Sequence, residues 1–100
     1  MLDAAYTINT IQSALTPVFD KYQVKKATLF GSYAKGKATE KSDIDLLLES
    51  GLRGLKFVGL IEDIHAALDK DVDVFDVTHI VPGSVIYNEI NKDGVTIYEK

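Results

Sequence analysis

Residues 29–48 read LFGSYAKGKATEKSDIDLLL, and the fold follows from how this stretch divides. Lys26-Ala27-Thr28-Leu29-Phe30 is a short apolar run with a β-branched residue, and it stops at Gly31-Ser32. That pattern predicts a strand running into a turn. Tyr33 to Lys37 predicts a single helical turn, and Ala38 to Ser42 a polar loop. From Asp43 to Glu49 the order Asp-Ile-Asp-Leu-Leu-Leu-Glu begins with period two, which predicts a second strand ended by Ser50-Gly51. Strand residues two apart share a face, roughly 6.5–7 Å from each other, so Asp43 and Asp45 project together while Ile44 turns to the core.

Two ionised carboxylates this close repel each other unless a cation compensates. Oxygen ligands, with no cysteine in the chain and no histidine nearby, suit a hard ion such as Mg²⁺ or Mn²⁺. Taken alone, Asp-x-Asp also describes ordinary exposed acids on a half-buried strand. The Gly-Ser turn narrows the reading. Glycine at a strand end allows close backbone approach and unusual φ, and a helical turn after it offers backbone N–H groups to an anion. Ser32 adds a hydroxyl, and Lys35 and Lys37 follow within a few residues. A Gly-Ser turn some ten residues before an Asp-hydrophobic-Asp strand suits a nucleoside triphosphate held by its phosphates beside a metal pair.

Outward from this centre, Ile8, Ile11, Leu15, Val18, Phe19 and Tyr22 mark one helical face, predicting a helix from Asp3 to about Tyr22. Pro17 inside it predicts a kinked helix or two abutting ones, with Thr16-Pro17 a candidate cap and first position. A second helix covers roughly Leu55 to Asp69, with Phe57, Leu60, Ile61, Ile64, Ala67 and Leu68 as its apolar stripe. Asp71 to Val77 alternates strictly and predicts a third strand. Pro82 starts a last helix with Val85, Ile86 and Ile90 inward and Gly94 as its stop, and Val95 to Tyr98 is a final strand. The pattern is α/β (α+β), three helices and about four strands in one layered domain spanning residues 1–100.

The third strand offers further acids. Asp73 and Asp71 share a face and Asp76 lies near the strand end, and alternation does not choose among them. His65, on the polar side of its helix, and His79, on a loop, read as surface residues. Tyr33 is placed either to stack on a base or to pack locally. Ser42 shapes the loop into the second strand. Tyr6, Tyr22, Tyr87 and Tyr98 read as core or interface residues.

Composition sets the outer limits. One hundred residues, 46% hydrophobic and 26% charged, fit one small globular domain. No apolar run approaches the ~20 residues of a membrane span, and the N-terminus lacks signal-peptide character, so a cytoplasmic location without membrane contact is expected. The absence of cysteine excludes disulfides, thiolate nucleophiles and cysteine-ligated zinc. A net charge of −4 argues against general nucleic-acid binding, and no direct DNA contact is expected. Yet Lys21, Lys25, Lys26, Lys35, Lys37 and Lys41, six of the eleven basic residues, flank the central motif, which favours a local anionic ligand.

The string Gly31-Ser32-Tyr33-Ala34-Lys35-Gly36 followed by Ser42-Asp43-Ile44-Asp45-Leu46 resembles the polymerase-β-type nucleotidyltransferase superfamily. It looks most like the minimal nucleotidyltransferase (MNT) proteins encoded beside HEPN-domain partners. The family signature is hydrophobic-Gly-Ser, a spacer, Asp-hydrophobic-Asp, and a later acid within a hydrophobic strand; here it begins at Phe30, and Val72-Asp73-Val74 supplies the last element. Lys35 stands where many relatives carry arginine, keeping the charge but losing bidentate geometry.

The resemblance implies a polymerase-β-like fold with a small mixed sheet. It implies that Asp43 and Asp45 coordinate two divalent ions, Mg²⁺ or alternatively Mn²⁺, and that Asp73 completes the acceptor-side metal site, with Asp71 as second choice. Gly31 and Ser32 would hold the β- and γ-phosphates of ATP, with Lys35 as a supporting charge and Ser42 as a further nucleotide-binding residue. The implied reaction moves AMP from ATP to a hydroxyl and releases pyrophosphate. At this length there is no room for the acceptor-enclosing domain of larger relatives, so the acceptor is expected on an open face or a partner. For the minimal family that partner is a HEPN ribonuclease toxin, adenylylated on a tyrosine by its antitoxin. The alternatives are neutralisation by contact alone and adenylylation of a small molecule such as an aminoglycoside.

Overall fold

A computed structural model describes residues 7–39 and 41–100. Helix α1 (Ile8–Tyr22) leads into strands β1 (Lys26–Phe30) and β2 (Ile44–Glu49), followed by α2 (Leu55–Leu68) and β3 (Val72–Asp76). A 3₁₀ turn (Val77–His79), helix α3 (Val85–Asp93) and strand β4 (Val95–Glu99) complete the order.

Thr7 caps α1 by accepting the Thr10 N–H on its hydroxyl at 3.0 Å. The predicted start at Asp3, and Tyr6, lie outside the described residues. One helix continues through Pro17 rather than two abutting pieces. Thr16 is not a cap: its hydroxyl donates back to the Gln12 carbonyl at 2.7 Å. What carries the helix across the proline is its inner stripe, Ile11, Leu15 and Phe19, each at 0% exposure, while Pro17 sits on the exposed side.

The sheet order is β3-β2-β1-β4. β1 is antiparallel to β2 and β4, and β2 is parallel to β3, so the sheet is mixed. A parallel pair needs a crossover, and α2 provides it. Ala27 and Leu29 of β1, Ile44, Leu46 and Leu48 of β2 and Ile97 of β4 turn to one face, where α1 and α2 cover them with Ile11, Leu15, Phe19, Leu60, Ile64 and Leu68. Ala67, expected on the α2 stripe, is exposed instead.

The last helix departs from its sequence reading. Pro82 lies in the preceding turn, and α3 starts later, capped by Ser84, whose hydroxyl accepts the Tyr87 N–H. Val85, expected inward, is 80% exposed, while Ile86 and Ile90 are half-buried. α3 packs on β1, on the sheet face opposite α1 and α2, where Ile90 borders a cleft with Thr28 and Leu47. Gly94 caps it where a Cβ would crowd the Ile90 carbonyl and the Thr28 methyl.

Candidate active site

The second sheet face takes the alternate residues of each strand: Thr28 and Phe30 from β1, Asp45 and Leu47 from β2, Asp73 and Phe75 from β3. Register aligns Phe30 with Asp45 and Asp45 with Asp73, so the two carboxylates stand on neighbouring parallel strands, about 4.8 Å apart in backbone spacing. The rings of Phe30 and Phe75 meet at 5.8 Å beside them. Asp43 is exposed and immediately precedes β2, which starts at Ile44 rather than at Asp43 as expected.

Asp45 feels the other two acids. Burial pushes the Asp45 carboxyl up to about 6, aided by the charges of Asp73 and Asp43, a hydrogen bond with the Asp73 carboxyl, and the charge of Glu89. Among the described residues no three acidic or histidine side chains form a ready-made metal cage. Mg²⁺ is commonly bound by one or two carboxylates with substrate phosphates and water completing its shell, so such a cage is not required.

Gly31 fixes the approach of the turn to this cluster. Its φ of +75° is a region that glycine enters freely, and a Cβ there would overlap the Asp45 carboxylate. The turn spans Gly31 to Gly36, closed by Lys35 N–H to Gly31 O at 3.1 Å and Lys37 N–H to Ser32 O at 3.0 Å. Ser32, half-buried, thus lies directly beside Asp45's contact with the turn. Lys35 Nζ is 3.4 Å from Glu89 of α3, an ionic contact between residues far apart in sequence that no local pattern announces.

The remaining candidates separate by position. Asp71 precedes β3, and its carbonyl accepts the Ile44 N–H at 3.2 Å; Asp73 is the residue opposite Asp45. Asp76 is a structural tie, accepting the backbone and hydroxyl donors of both Ser50 and Thr78. Burial pushes its carboxyl up, but those donors together outweigh burial and hold it below the ordinary value. Ser42 closes the loop before β2, accepting the Thr39 N–H on its hydroxyl at 2.9 Å. Tyr33 is buried in the core rather than presented for stacking.

The basic cluster disperses. Lys26 begins β1, four residue steps or about 13 Å from Phe30, Lys25 precedes it, and Lys21 pairs with Asp63 of α2 at 3.1 Å. Lys35 and Lys37 stay with the Gly-Ser turn. Both histidines are exposed, as expected, and each makes a hydrogen bond. His65 Nε2 donates to the Val72 carbonyl at 3.0 Å, and His79 Nδ1 accepts the Asp76 N–H at 3.2 Å.

With this geometry in place, the chain can be set beside known proteins. The family model described as polymerase beta, nucleotidyltransferase matches residues 13–100. The chain belongs to that family. A Methanocaldococcus jannaschii protein assigned provisionally as a protein adenylyltransferase is 40% identical over 77 residues, covering 75% of this chain and 83% of its own. The protein adenylyltransferase MntA of Thermococcus cleftensis is 36% identical over 77 residues, covering 71% of this chain and 78% of its own. The fold matches a chain of a toxin–antitoxin crystal structure containing AMP-PNP with TM-score 0.73, at 22% identity over 89% of this chain and 73% of that one. It also matches a chain from the complex of the tri-AMPylated Shewanella oneidensis HEPN toxin with its MNT antitoxin, with TM-score 0.69 and 19% identity over 94% of this chain and 74% of that one. The three helices and four-stranded mixed sheet of the described residues are those of a polymerase-β-like nucleotidyltransferase.

Proposed function

We propose that this chain is an antitoxin that transfers AMP from ATP to a tyrosine hydroxyl of a HEPN ribonuclease toxin and releases pyrophosphate. The observation that carries the reading is the alignment of Asp45 with Asp73 across two parallel strands, with Asp43 beside them and Gly31 pressed onto Asp45. Relatives that bear the name protein adenylyltransferase support the choice of a protein acceptor.

The donor set fits magnesium: the carboxylates are oxygen-only, and Asp45 is destabilised in its charged form by burial and by its acidic neighbours. Asp43, Asp45 and Asp73 would hold two ions, whose chemistry is to neutralise the phosphates and stabilise the attacking and leaving oxygens of an in-line displacement. Gly31 lets the turn backbone come close to the phosphates, Ser32 donates its hydroxyl to them, and Lys35 adds positive charge. Ser42 keeps the loop before Asp43 in shape. Asp73 accepts the proton of the incoming tyrosine as its oxygen bonds the α-phosphorus and the bond to pyrophosphate breaks. Positioning and charge neutralisation account for catalysis of this kind, so few other side chains are needed. Residues 1–100 act as one minimal catalytic domain, and the sheet face beside the acids receives the partner's tyrosine. The reaction belongs in the cytoplasm, where ATP is supplied.

The test is intact mass of a HEPN-domain toxin after incubation with the purified chain, ATP and Mg²⁺. A gain of one or more AMP units is expected. An unmodified partner in a stable complex would overturn the reading and favour neutralisation by contact.

A further inference from the structure

The turn and the acids account for two sides of a nucleotide site, and α3 stands on a third. Glu89 and Lys92 are three residues apart on α3, which places them on one helix face. Glu89 Oε1 lies 3.4 Å from Lys35 Nζ, with side-chain exposures of 30% and 38%. It is also close enough for its charge to act on Asp45. One turn on, Lys92 lines an open cleft of about 480 Å³ with Lys35 and Lys37, alongside Ala34 and Asp93. Three ammonium groups drawn from two elements that are distant in sequence thus face one concave space next to the Gly-Ser turn. Ligand pockets typically measure ~300–1,000 Å³, so the cleft has room for a polyphosphate.

We infer that α3 forms a wall of the triphosphate site, with Lys92 contacting the terminal phosphates and Glu89 acting as a positioning residue for Lys35. The inference rests on the nucleotide-transfer reading above and adds two residues to it.

The chemistry is consistent with both roles. An ammonium group has three donors, so Lys35 can keep Glu89 and still donate to a phosphate oxygen. A flexible lysine held in place by a carboxylate loses less freedom when the ligand arrives, and protein kinases use such a lysine–glutamate pair for the same purpose. Lys92 and Lys37 exceed the single charge of Asp93, leaving the cleft positive once Lys35 and Glu89 are paired. A positive concave surface both attracts and retains a polyphosphate.

The experiment is calorimetric binding of ATP, AMP and inorganic tripolyphosphate with Mg²⁺, combined with steady-state transfer to the partner. Lys92→Met is expected to weaken ATP and tripolyphosphate binding about tenfold, as loss of one phosphate contact to a charged group implies, and to leave AMP binding and Tm unchanged. Glu89→Gln is expected to raise KM for ATP several-fold with little change in kcat, and to have no further effect in a Lys35→Met background. Wild-type affinity in Lys92→Met, an unchanged KM in Glu89→Gln, or a Glu89→Gln loss that persists without Lys35 would each overturn the proposal. Failure of the parent reading looks different, because the wild-type chain itself would then leave its partner unmodified.

Discussion

Strand β2 carries two different jobs on its two faces. Ile44, Leu46 and Leu48 have 0% exposure beneath α1 and α2, while Asp45, Leu47 and Glu49 alternate with them on the opposite face. The covered face is apolar throughout. The other face gathers like charges at one end, with Asp45 beside Asp73 and Asp43, an arrangement that opposes folding. The contrast teaches that the apolar side stabilises the fold strongly enough to hold an electrostatically unfavourable cluster in register, as functional sites commonly require.

The sharpest way to break the contrast is to mutate one residue from each face. Asp45→Asn is expected to lower AMP transfer on the order of 10³-fold, in line with loss of a key electrostatic group, while the chain remains folded. Leu46→Ala should instead cost about 2–5 kcal/mol of stability in urea unfolding and leave transfer per folded molecule nearly unchanged.

Gly31→Ala tests the contact between the turn and the acids. A left-handed φ costs a residue with a Cβ about 1–2 kcal/mol, and the overlap with Asp45 must displace its carboxylate. Since misplacement by about 1 Å can cost 10²-fold, transfer should fall further than the loss of stability accounts for, as kinetics and melting on the same sample would reveal.

The pH dependence follows from Asp45, whose carboxyl stands at about 6 against an ordinary 3.8. The folded chain therefore holds this proton more tightly than the unfolded chain does. Its contribution to stability is lost as pH rises from about 3.8 to about 6. Metal-free Asp45→Asn should thus melt higher than the wild type at pH 7 and show a weaker pH dependence across that window. Added Mg²⁺ should stabilise the wild type more than the variant, and its affinity for the wild type should fall as pH drops below about 6. The smallest effect belongs to the exposed Lys25–Glu49 pair at 3.8 Å. Lys25→Met should change stability by less than about 1 kcal/mol and transfer not at all.

Much of the fold was legible because its signals are local. Apolar spacing marked α1 and α2, and β1 occupies Lys26–Phe30 as expected. The Gly-Ser turn and the Asp-Ile-Asp run likewise marked their own positions. What the sequence hid depends on long-range placement. Period two puts Asp71 and Asp73 on the same face, and only the parallel register with β2 sets Asp73 opposite Asp45. The lysines near the motif in sequence part company because β1 carries Lys26 and Phe30 to opposite ends. Val85 fits a helical stripe, yet α3 lies over only part of the second sheet face and leaves it uncovered. Glu89 meets Lys35 only because α3 folds back over β1, and Asp76 gains Ser50 as a partner only once the sheet has assembled.

The most direct measurement of the account follows the fate of the two ends of ATP. The chain, Mg²⁺ and the HEPN partner are incubated in parallel with ATP labelled at the α-phosphate or at the γ-phosphate. The α-label should enter the partner protein and the γ-label should appear in pyrophosphate, with both signals lost in Asp45→Asn. Entry of the γ-label into the partner, or undiminished transfer by Asp45→Asn, would contradict the claim that the acids of this sheet face carry out nucleotidyl transfer.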